Sequence, residues 1–160
     1  MTRVQHIAIR VSDLEHSIDF FTKALGGKQV LRPYNNGVQM TEIIMGVENT
    51  DYRIGFVELP DGFGLELFQF VPDRNPTIGV PQPQASFMHF AIHVDDVAAT
   101  LERVVANGGK SFGDPNGWAP SDPGQYAYFT DPDGNIFELN DTTWERILSS
   151  ATELYPEAKL

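Results

Sequence analysis

The sequence predicts an α+β fold built from two tandem βαβββ modules, and an internal repeat is the first reason. The segment VQHIAIRVSD, which begins at Val4, returns with few changes as FMHFAIHVDD from Phe87. Apolar residues at helical spacing follow each copy, and a glycine pair then ends each helical pattern. Each half closes with two short apolar segments around a Pro-Asp-Gly turn, which predicts a hairpin.

The helix of each module is predicted from three matched apolar positions at i, i+4 and i+7, which form one buried helix face. These positions are Leu14, Ile18 and Phe21 in the first module and Val97, Leu101 and Val104 in the second. Ser12, with Glu15 three residues on, and Asp95 are the predicted N-caps. Gly26 and Gly108 each open a glycine pair that suits a helix end with positive φ.

The closing hairpins are predicted over 52–59 with 64–70, and over QYAYFT with IFELN. The predicted organisation is a first module at 2–70, a linker at 71–85, a second module at 86–140 and a helical tail at 141–160. The linker is assigned because it carries four of the eleven prolines. Thr142, with Glu145 three residues on, is the predicted N-cap of the tail helix.

Composition narrows the possible functions. A chain of 160 residues has the size of one domain, and the absence of cysteine excludes disulfides, thiolate metal sites and a cysteine nucleophile. With 22 acidic and 11 basic residues, the formal net charge is −11, which disfavours nucleic acids and anionic membranes as partners. Since no apolar run approaches the ~20 residues of a membrane span, we expect a cytoplasmic protein.

Side-chain parity in the predicted strands turns four polar residues away from the helices. In the first strand of each module, the large apolar residues lie beneath the helix, so His6 and His89 face the opposite side. Glu66 and Glu138 each stand between two apolar neighbours in the last strand of their module. Both carboxylates are therefore expected on the sheet face opposite the helix, where the histidines also lie.

These four residues together predict a metal site. A single strand histidine is usually structural, but here each module contributes one histidine and one glutamate. Two neutral imidazoles and two carboxylates suit a divalent cation, whereas two enclosed carboxylates without a cation would repel each other. We expect one divalent ion per chain, held by His6, Glu66, His89 and Glu138. Nickel, cobalt, zinc, manganese and iron are all compatible with these donors.

Four segments carry a family resemblance that covers residues 2–140: HIAIRVSDLEHSIDFFTKALG, LELF, MHFAIHVDDV and DPDGNIFEL. Together they resemble the vicinal oxygen chelate superfamily, which includes glyoxalase I, methylmalonyl-CoA epimerase, extradiol dioxygenases and drug-resistance proteins. The resemblance implies a glyoxalase-like fold, in which two modules form a cupped mixed sheet around a metal at the positions of the four residues above. It also implies a small-molecule substrate and a homodimer, and it leaves open whether one or two chains build each site.

The number of metal ligands separates the reactions of this superfamily. Extradiol dioxygenases resemble a pattern of two histidines and one carboxylate, which leaves three positions for catecholate and oxygen. Here Glu66 adds a fourth ligand and leaves two positions for the vicinal oxygens of a hydroxy-carbonyl or acyl-thioester substrate. We therefore expect a metal-dependent lyase or epimerase, with Glu66 or Glu138 as the catalytic base. The alternatives are an extradiol-type dioxygenase and a non-catalytic small-molecule-binding protein.

Six further residues are predicted to contact the substrate: Arg10, Phe68, Phe70, His93, Trp118 and Tyr126. By resemblance, Arg10 stands where glyoxalase I carries an arginine for the glutathione carboxylate. Phe70 departs from glyoxalase I, which has asparagine there, and Glu66 departs from methylmalonyl-CoA epimerase, which has glutamine. Because the side chains of Phe68 and Phe70 lie on the same predicted sheet face as Glu66, we expect a partly apolar pocket. His93 is also a candidate support for a metal ligand.

Overall fold

The computed structural model describes residues 5–39, 49–71 and 89–158. The first half comprises β1 (His6–Arg10), α1 (Leu14–Leu25), β2 (Lys28–Asn35), β3 (Asp51–Glu58) and β4 (Gly64–Val71). The second half comprises β5 (Phe90–His93), α2 (Val97–Ala106), β6 (Lys110–Ser111), β7 (Asn116–Gly117), β8 (Gln125–Thr130) and β9 (Ile136–Asn140). Helix α3 (Trp144–Leu154) and a 3-10 turn (Pro156–Ala158) follow. Apart from Val71, the predicted linker lies outside the described residues.

Each half forms its own open, mixed sheet. The strand orders are β1-β4-β3-β2 and β5-β9-β8-β6, and the short strand β7 is added beside β8. In both sheets the first strand runs parallel to the last, while the remaining pairs are antiparallel. The prediction of an α+β fold with two tandem βαβββ modules is therefore confirmed, with β7 as an addition to the second module.

The predicted N-caps are wrong by one residue at every helix. Asp13, Asp96 and Thr143 cap the helices instead, each accepting a hydrogen bond from a backbone N–H three residues on. The hydroxyl of Ser12 instead donates to Asp133, and that of Thr142 donates to Asp122 at 3.3 Å. The predicted C-terminal ends of α1 and α2 agree better with the structure, because Gly26 has φ +70° and Gly108 has φ +98°, as expected for glycines at helix ends.

One apolar core joins the helix-bearing faces of the two modules. It includes residues of both helices and both sheets, and the rings of Phe21 on α1 and Phe137 on β9 lie 5.7 Å apart. Polar contacts also cross the boundary, since the Asn135 side chain donates to the carbonyl of Arg10 at 3.2 Å. The modules are therefore packed through their helix sides, and the opposite sheet faces lie outside this core.

Candidate active site

The first module places a histidine beside a glutamate on the sheet face opposite α1. Strands β1 and β4 pair in parallel with Ala8 opposite Glu66, and Leu65 and Leu67 on either side of Glu66 are fully buried in the core. His6 lies two residues before Ala8, and its Nε2 is 3.6 Å from Glu66 Oε2. The side chains of His6 and Glu66 are 46% and 25% exposed, so this pair is accessible to solvent.

The second module repeats the pair in the same register. Ala91 on β5 lies opposite Glu138 on β9, and His89 lies two residues before Ala91. The distance from His89 Nε2 to Glu138 Oε2 is 3.2 Å. Here the carboxylate is almost fully buried, with 5% of its side chain exposed, while the His89 side chain is 35% exposed.

Two neighbours fix the buried carboxylate of Glu138. The Asn140 amide donates to its Oε1 at 3.2 Å, and the hydroxyl of Tyr128, opposite it on β8, donates a further hydrogen bond. Burial raises the pKa of Tyr128, and the hydrogen bond to Glu138 raises it further, so this hydroxyl remains a donor. The Tyr128 ring also packs edge-on against the His89 ring at 5.1 Å.

The structure brings the four predicted ligands together two by two. Among the described residues, no group of three or more histidine, cysteine, aspartate or glutamate side chains is close enough to hold one metal ion. Each pair nevertheless presents an imidazole nitrogen beside a carboxylate oxygen, which are the donor types that divalent transition metals accept. Each module of one chain therefore carries half of the predicted ligand set, and the four-ligand site stays a prediction.

The predicted substrate-contacting residues fall into two groups. Beside the first pair, the guanidinium of Arg10 lies 5.4 Å from the centre of the Phe70 ring, and Phe68 is buried against Tyr52. Beside the second pair, the rings of Trp118 and Tyr126 lie 4.6 Å apart. The remaining residue, His93, is exposed at the end of β5 opposite Asn140. Their contact with a substrate stays a prediction.

Sequence reasoning missed Tyr128 and Asn140 as parts of the site. Their signal was present, because Tyr128 shares the parity of Tyr126 and Asn140 lies two residues after Glu138. It also missed Tyr52, Ile54 and Phe56, which form a second apolar cluster with Phe68 and Phe70. These residues occupy the β3 positions opposite β4, so the pairing of the two strands would have identified them.

Comparison with known proteins identifies the family. Residues 3–139 match the model of the glyoxalase/bleomycin resistance protein/dioxygenase superfamily, and the chain belongs to this superfamily. No helix in the described part of the chain is long and apolar enough to cross a membrane.

Individual relatives agree with the superfamily assignment. The chain is 34% identical over 139 residues to a probable chloroplastic lactoylglutathione lyase of Arabidopsis thaliana, covering 86% of this chain but only 35% of that protein. It is 30% identical to a lactoylglutathione lyase of Escherichia coli, covering 86% of this chain and 90% of that one. A 2-epi-5-epi-valiolone epimerase of Actinomyces is also 30% identical, covering 85% of this chain and 77% of that protein.

A solved structure agrees with these sequence relatives. Glyoxalase I of Zea mays superposes with a TM-score of 0.63 at 27% identity, covering 88% of this chain and 45% of that one. The chain thus spans less than half of the plant proteins and most of the bacterial ones. Together these findings agree with the superfamily assignment.

Proposed function

We propose that the chain is a metal-dependent proton-transfer enzyme, a glyoxalase I-like lyase or an epimerase. Its substrate is a small hydroxy-carbonyl compound or acyl thioester with two adjacent oxygens. The observation that carries this proposal is the His–Glu pair that recurs at equivalent register positions on both sheets. Both modules keep these two donor types, although the residue that faces the glutamate differs between them.

The metal would be held by His6, Glu66, His89 and Glu138, with each module supplying two of them. Because the two pairs lie on separate sheets of one chain, the complete set would require two copies, with the first module of one facing the second module of the other. A two-fold symmetric homodimer then contains two equivalent sites. Two carboxylates and two neutral imidazoles balance the charge of one divalent ion at each site.

The bound cation would polarise the substrate carbonyl and stabilise negative charge on its oxygen. Glu66 is the better candidate for the base that removes the carbon-bound proton. Its carboxylate is more exposed than that of Glu138, and it lies farther from its histidine, with 3.6 Å between His6 Nε2 and Glu66 Oε2 against 3.2 Å in the second pair. Glu138 is held by Tyr128 and Asn140 and serves better as a fixed ligand.

The residues around the first pair favour a substrate with an apolar part. Phe68 and Phe70 belong to the cluster on this face, and Arg10 provides a cation beside the Phe70 ring. An arginine beside aromatic rings suits an anionic group attached to an apolar body. The relatives named lactoylglutathione lyase support a lactoylglutathione-like acyl thioester, whereas the relative named as an epimerase supports return of the proton to the same carbon.

Metal content and solvent exchange together test the proposal. Wild-type protein reconstituted with each divalent metal should bind one ion per chain and incorporate deuterium from D2O into a hydroxy-carbonyl or acyl-thioester substrate. His89→Ala should lose the stoichiometric metal, whereas His16→Ala, which changes an exposed histidine of α1, should keep it. Metal retained by His89→Ala would overturn the ligand assignment. Oxygen uptake with catechols would instead indicate a dioxygenase.

A further inference from the structure

A row of polar side chains crosses the second sheet directly beside the second His–Glu pair. Asn140 follows Glu138 by two residues on β9, and the register places His93 of β5 and Tyr126 of β8 on either side of it. Strand β7 extends the row, because Asn116 pairs with Tyr126. Residues paired in this way lie on one face of a sheet, so the row shares the face of Glu138. We call it the polar row, and it consists of His93, Asn140, Tyr126 and Asn116.

The equivalent row of the first module has a different chemical character. Across that sheet, the register joins Arg10, Phe68, Ile54 and Tyr34. The two central members belong to the second apolar cluster. At the same two positions the second module has an amide and a phenol. Because both rows occupy the same strand frame, the fold itself does not require polar side chains there, and the difference concerns what each sheet face contacts.

The polar row can bind uncharged hydroxyl groups. His93 and Asn116 are exposed and Tyr126 is half-buried, whereas Asn140 is buried. Imidazole, amide and phenol groups each donate and accept hydrogen bonds, as a hydroxyl group requires. The row holds neither lysine nor arginine, so an anionic group finds no such cation there, and the net charge of −11 repels it further. These features favour a neutral ligand with several hydroxyl groups over an anionic one.

Aromatic rings connect the polar row with the predicted metal ligands. The Tyr128 ring lies 5.1 Å from the His89 ring and 6.0 Å from the Tyr126 ring. The Tyr126 ring in turn lies 4.6 Å from the Trp118 ring. Trp118 is half-buried with its Nε1 shielded from solvent, so the exposed part of its ring is carbon surface. A polyhydroxylated ring matches both features, because its C–H groups can pack on the aromatic rings while its hydroxyls reach the polar row.

We propose that the polar row binds the hydroxyl-bearing part of a neutral polyhydroxylated ketone, a sugar or cyclitol derivative, whose adjacent hydroxyl and carbonyl oxygens reach the metal. This inference rests on the proposed function and narrows its substrate to a neutral hydroxy-ketone rather than an acyl thioester of an anionic carrier. The polar row lies two residues along β5 and β9 from Ala91 and Glu138, a distance of about 7 Å. A six-membered ring chelated at the His–Glu pair is long enough to extend to the row.

Two ketones that differ only in their hydroxyl groups test the inference. Both 2-keto-myo-inositol and 2-hydroxycyclohexanone are six-membered rings with a hydroxyl beside the carbonyl, but the first carries further hydroxyls around the ring. In isothermal titration of the metal-free protein, 2-keto-myo-inositol should bind at least about tenfold more tightly, because several added hydroxyls form hydrogen bonds. S-lactoylglutathione should bind more weakly than 2-keto-myo-inositol. Equal affinity for the two ketones, binding of neither, or a preference for the thioester would overturn the proposal.

A matched pair of tyrosine variants locates the binding on the polar row. Tyr126→Phe keeps the ring and removes the hydroxyl, so it should weaken 2-keto-myo-inositol binding by about tenfold and leave 2-hydroxycyclohexanone binding unchanged. Tyr155→Phe is the control, because it removes the hydroxyl of an exposed tyrosine at the end of α3 and should change neither affinity. Undiminished affinity in Tyr126→Phe, or an equal loss in Tyr155→Phe, would overturn the proposal. Since these measurements need neither metal nor turnover, the ketone preference can hold while His89→Ala disproves the metal site, and the reverse can also occur.

Discussion

The two His–Glu pairs share one backbone frame but differ in what surrounds the carboxylate. In both modules the glutamate lies opposite an alanine of the first strand, and the histidine lies two residues before that alanine. Glu66 is opposite Phe56 on β3, whereas Glu138 is opposite Tyr128 on β8. Two residues further along, Phe68 stands in the first module where Asn140 stands in the second. One carboxylate thus has apolar neighbours, while the other has two hydrogen-bond donors.

This difference indicates a division of roles between two copies of one motif. Duplicated strands supply the same positions for donor atoms, and the facing strands then decide how firmly each donor is held. A carboxylate with two donors is fixed in position and suits the role of a permanent ligand. A carboxylate with no such donors can change position and exchange a proton, which suits a base. This division, the packing of the two modules and the difference between their hairpins each predict a measurable effect, taken below from the largest to the smallest.

Exchanging the two glutamates for glutamine should separate the base from the fixed ligand. Glu66→Gln should keep much of the metal, because an amide oxygen can still coordinate, but should lose proton exchange by about 10²–10⁴-fold. Glu138→Gln should instead lose metal affinity, since an amide disturbs the hydrogen bonds from Tyr128 and Asn140. Chelator competition and deuterium incorporation measure both effects. Equal losses in both variants would remove the distinction between the modules.

The shared core predicts a large loss of stability when its bridging ring is removed. Phe137 is 2% exposed and packs against both Phe129 of its own module and Phe21 of the other. Phe137→Ala should lower the free energy of unfolding by about 3–5 kcal/mol, as measured by urea denaturation. Val105→Ala, at an exposed site, should change it by less than about 0.5 kcal/mol. A cost near 1 kcal/mol for Phe137→Ala would mean that the modules are not packed through this ring.

Substitutions of the residues opposite the two glutamates, on β8 and β3, should make the surroundings of one His–Glu pair resemble those of the other. Tyr128→Phe removes a donor from Glu138 and should lower metal affinity by about 10–100-fold, the range typical of losing a partner of a metal ligand. Phe56→Tyr places a hydroxyl opposite Glu66 and should slow proton exchange without lowering metal affinity. Isothermal titration with the metal, together with solvent exchange, distinguishes these outcomes. If Tyr128→Phe bound metal as tightly as wild type, Glu138 would not depend on its hydrogen bond.

The fold was largely predictable because duplication and strand parity are local signals. Leu65 and Leu67 lie beneath the helix as alternation requires, and Glu66 faces the other side. The N-caps were displaced because long-range bonds occupy Ser12 and Thr142, and local sequence does not reveal such partners. Strand β2 showed little alternation, since it is an exposed edge with bulges.

The candidate site was only half predictable for a related reason. Register within one module follows from strand order, so each His–Glu pair could be inferred from the chain. How two modules pack depends on which apolar faces meet, and here the helix sides meet through residues such as Phe21 and Phe137. This helix-side packing depends on tertiary contacts, and it keeps the two His–Glu pairs apart within one chain.

The smallest predicted effect concerns the hairpins that precede the two glutamates. Both contain Pro-Asp-Gly and share the same turn: the backbone N–H of Leu59 donates to the Phe63 carbonyl, and that of Asp131 donates to the Asn135 carbonyl. The corresponding residues differ, since Leu59 is a buried apolar residue whereas Asp131 is a carboxylate with 2% exposure. Burial raises the pKa of Asp131 to about 6, although hydrogen bonds from Asn135 partly oppose the shift.

The raised pKa makes the second hairpin sensitive to pH in a defined direction. Because the folded state holds this proton more tightly than the unfolded state, Asp131 should lower stability progressively as pH rises from about 4 to about 6. Asp131→Asn removes this pH dependence. Because the new amide lies beside the amide of Asn135, which now donates to the carboxylate, part of the gain is lost, and the free energy of unfolding at pH 7 should rise by about 1 kcal/mol. Urea denaturation at pH 4.5 and pH 7 measures the difference.

Asp122→Asn is a control of opposite sign, since the Gly124 backbone N–H lowers the pKa of Asp122 and its charge stabilises the folded state at neutral pH. If Asp131→Asn kept the wild-type decline between pH 4.5 and pH 7, the decline would have to arise from another buried group.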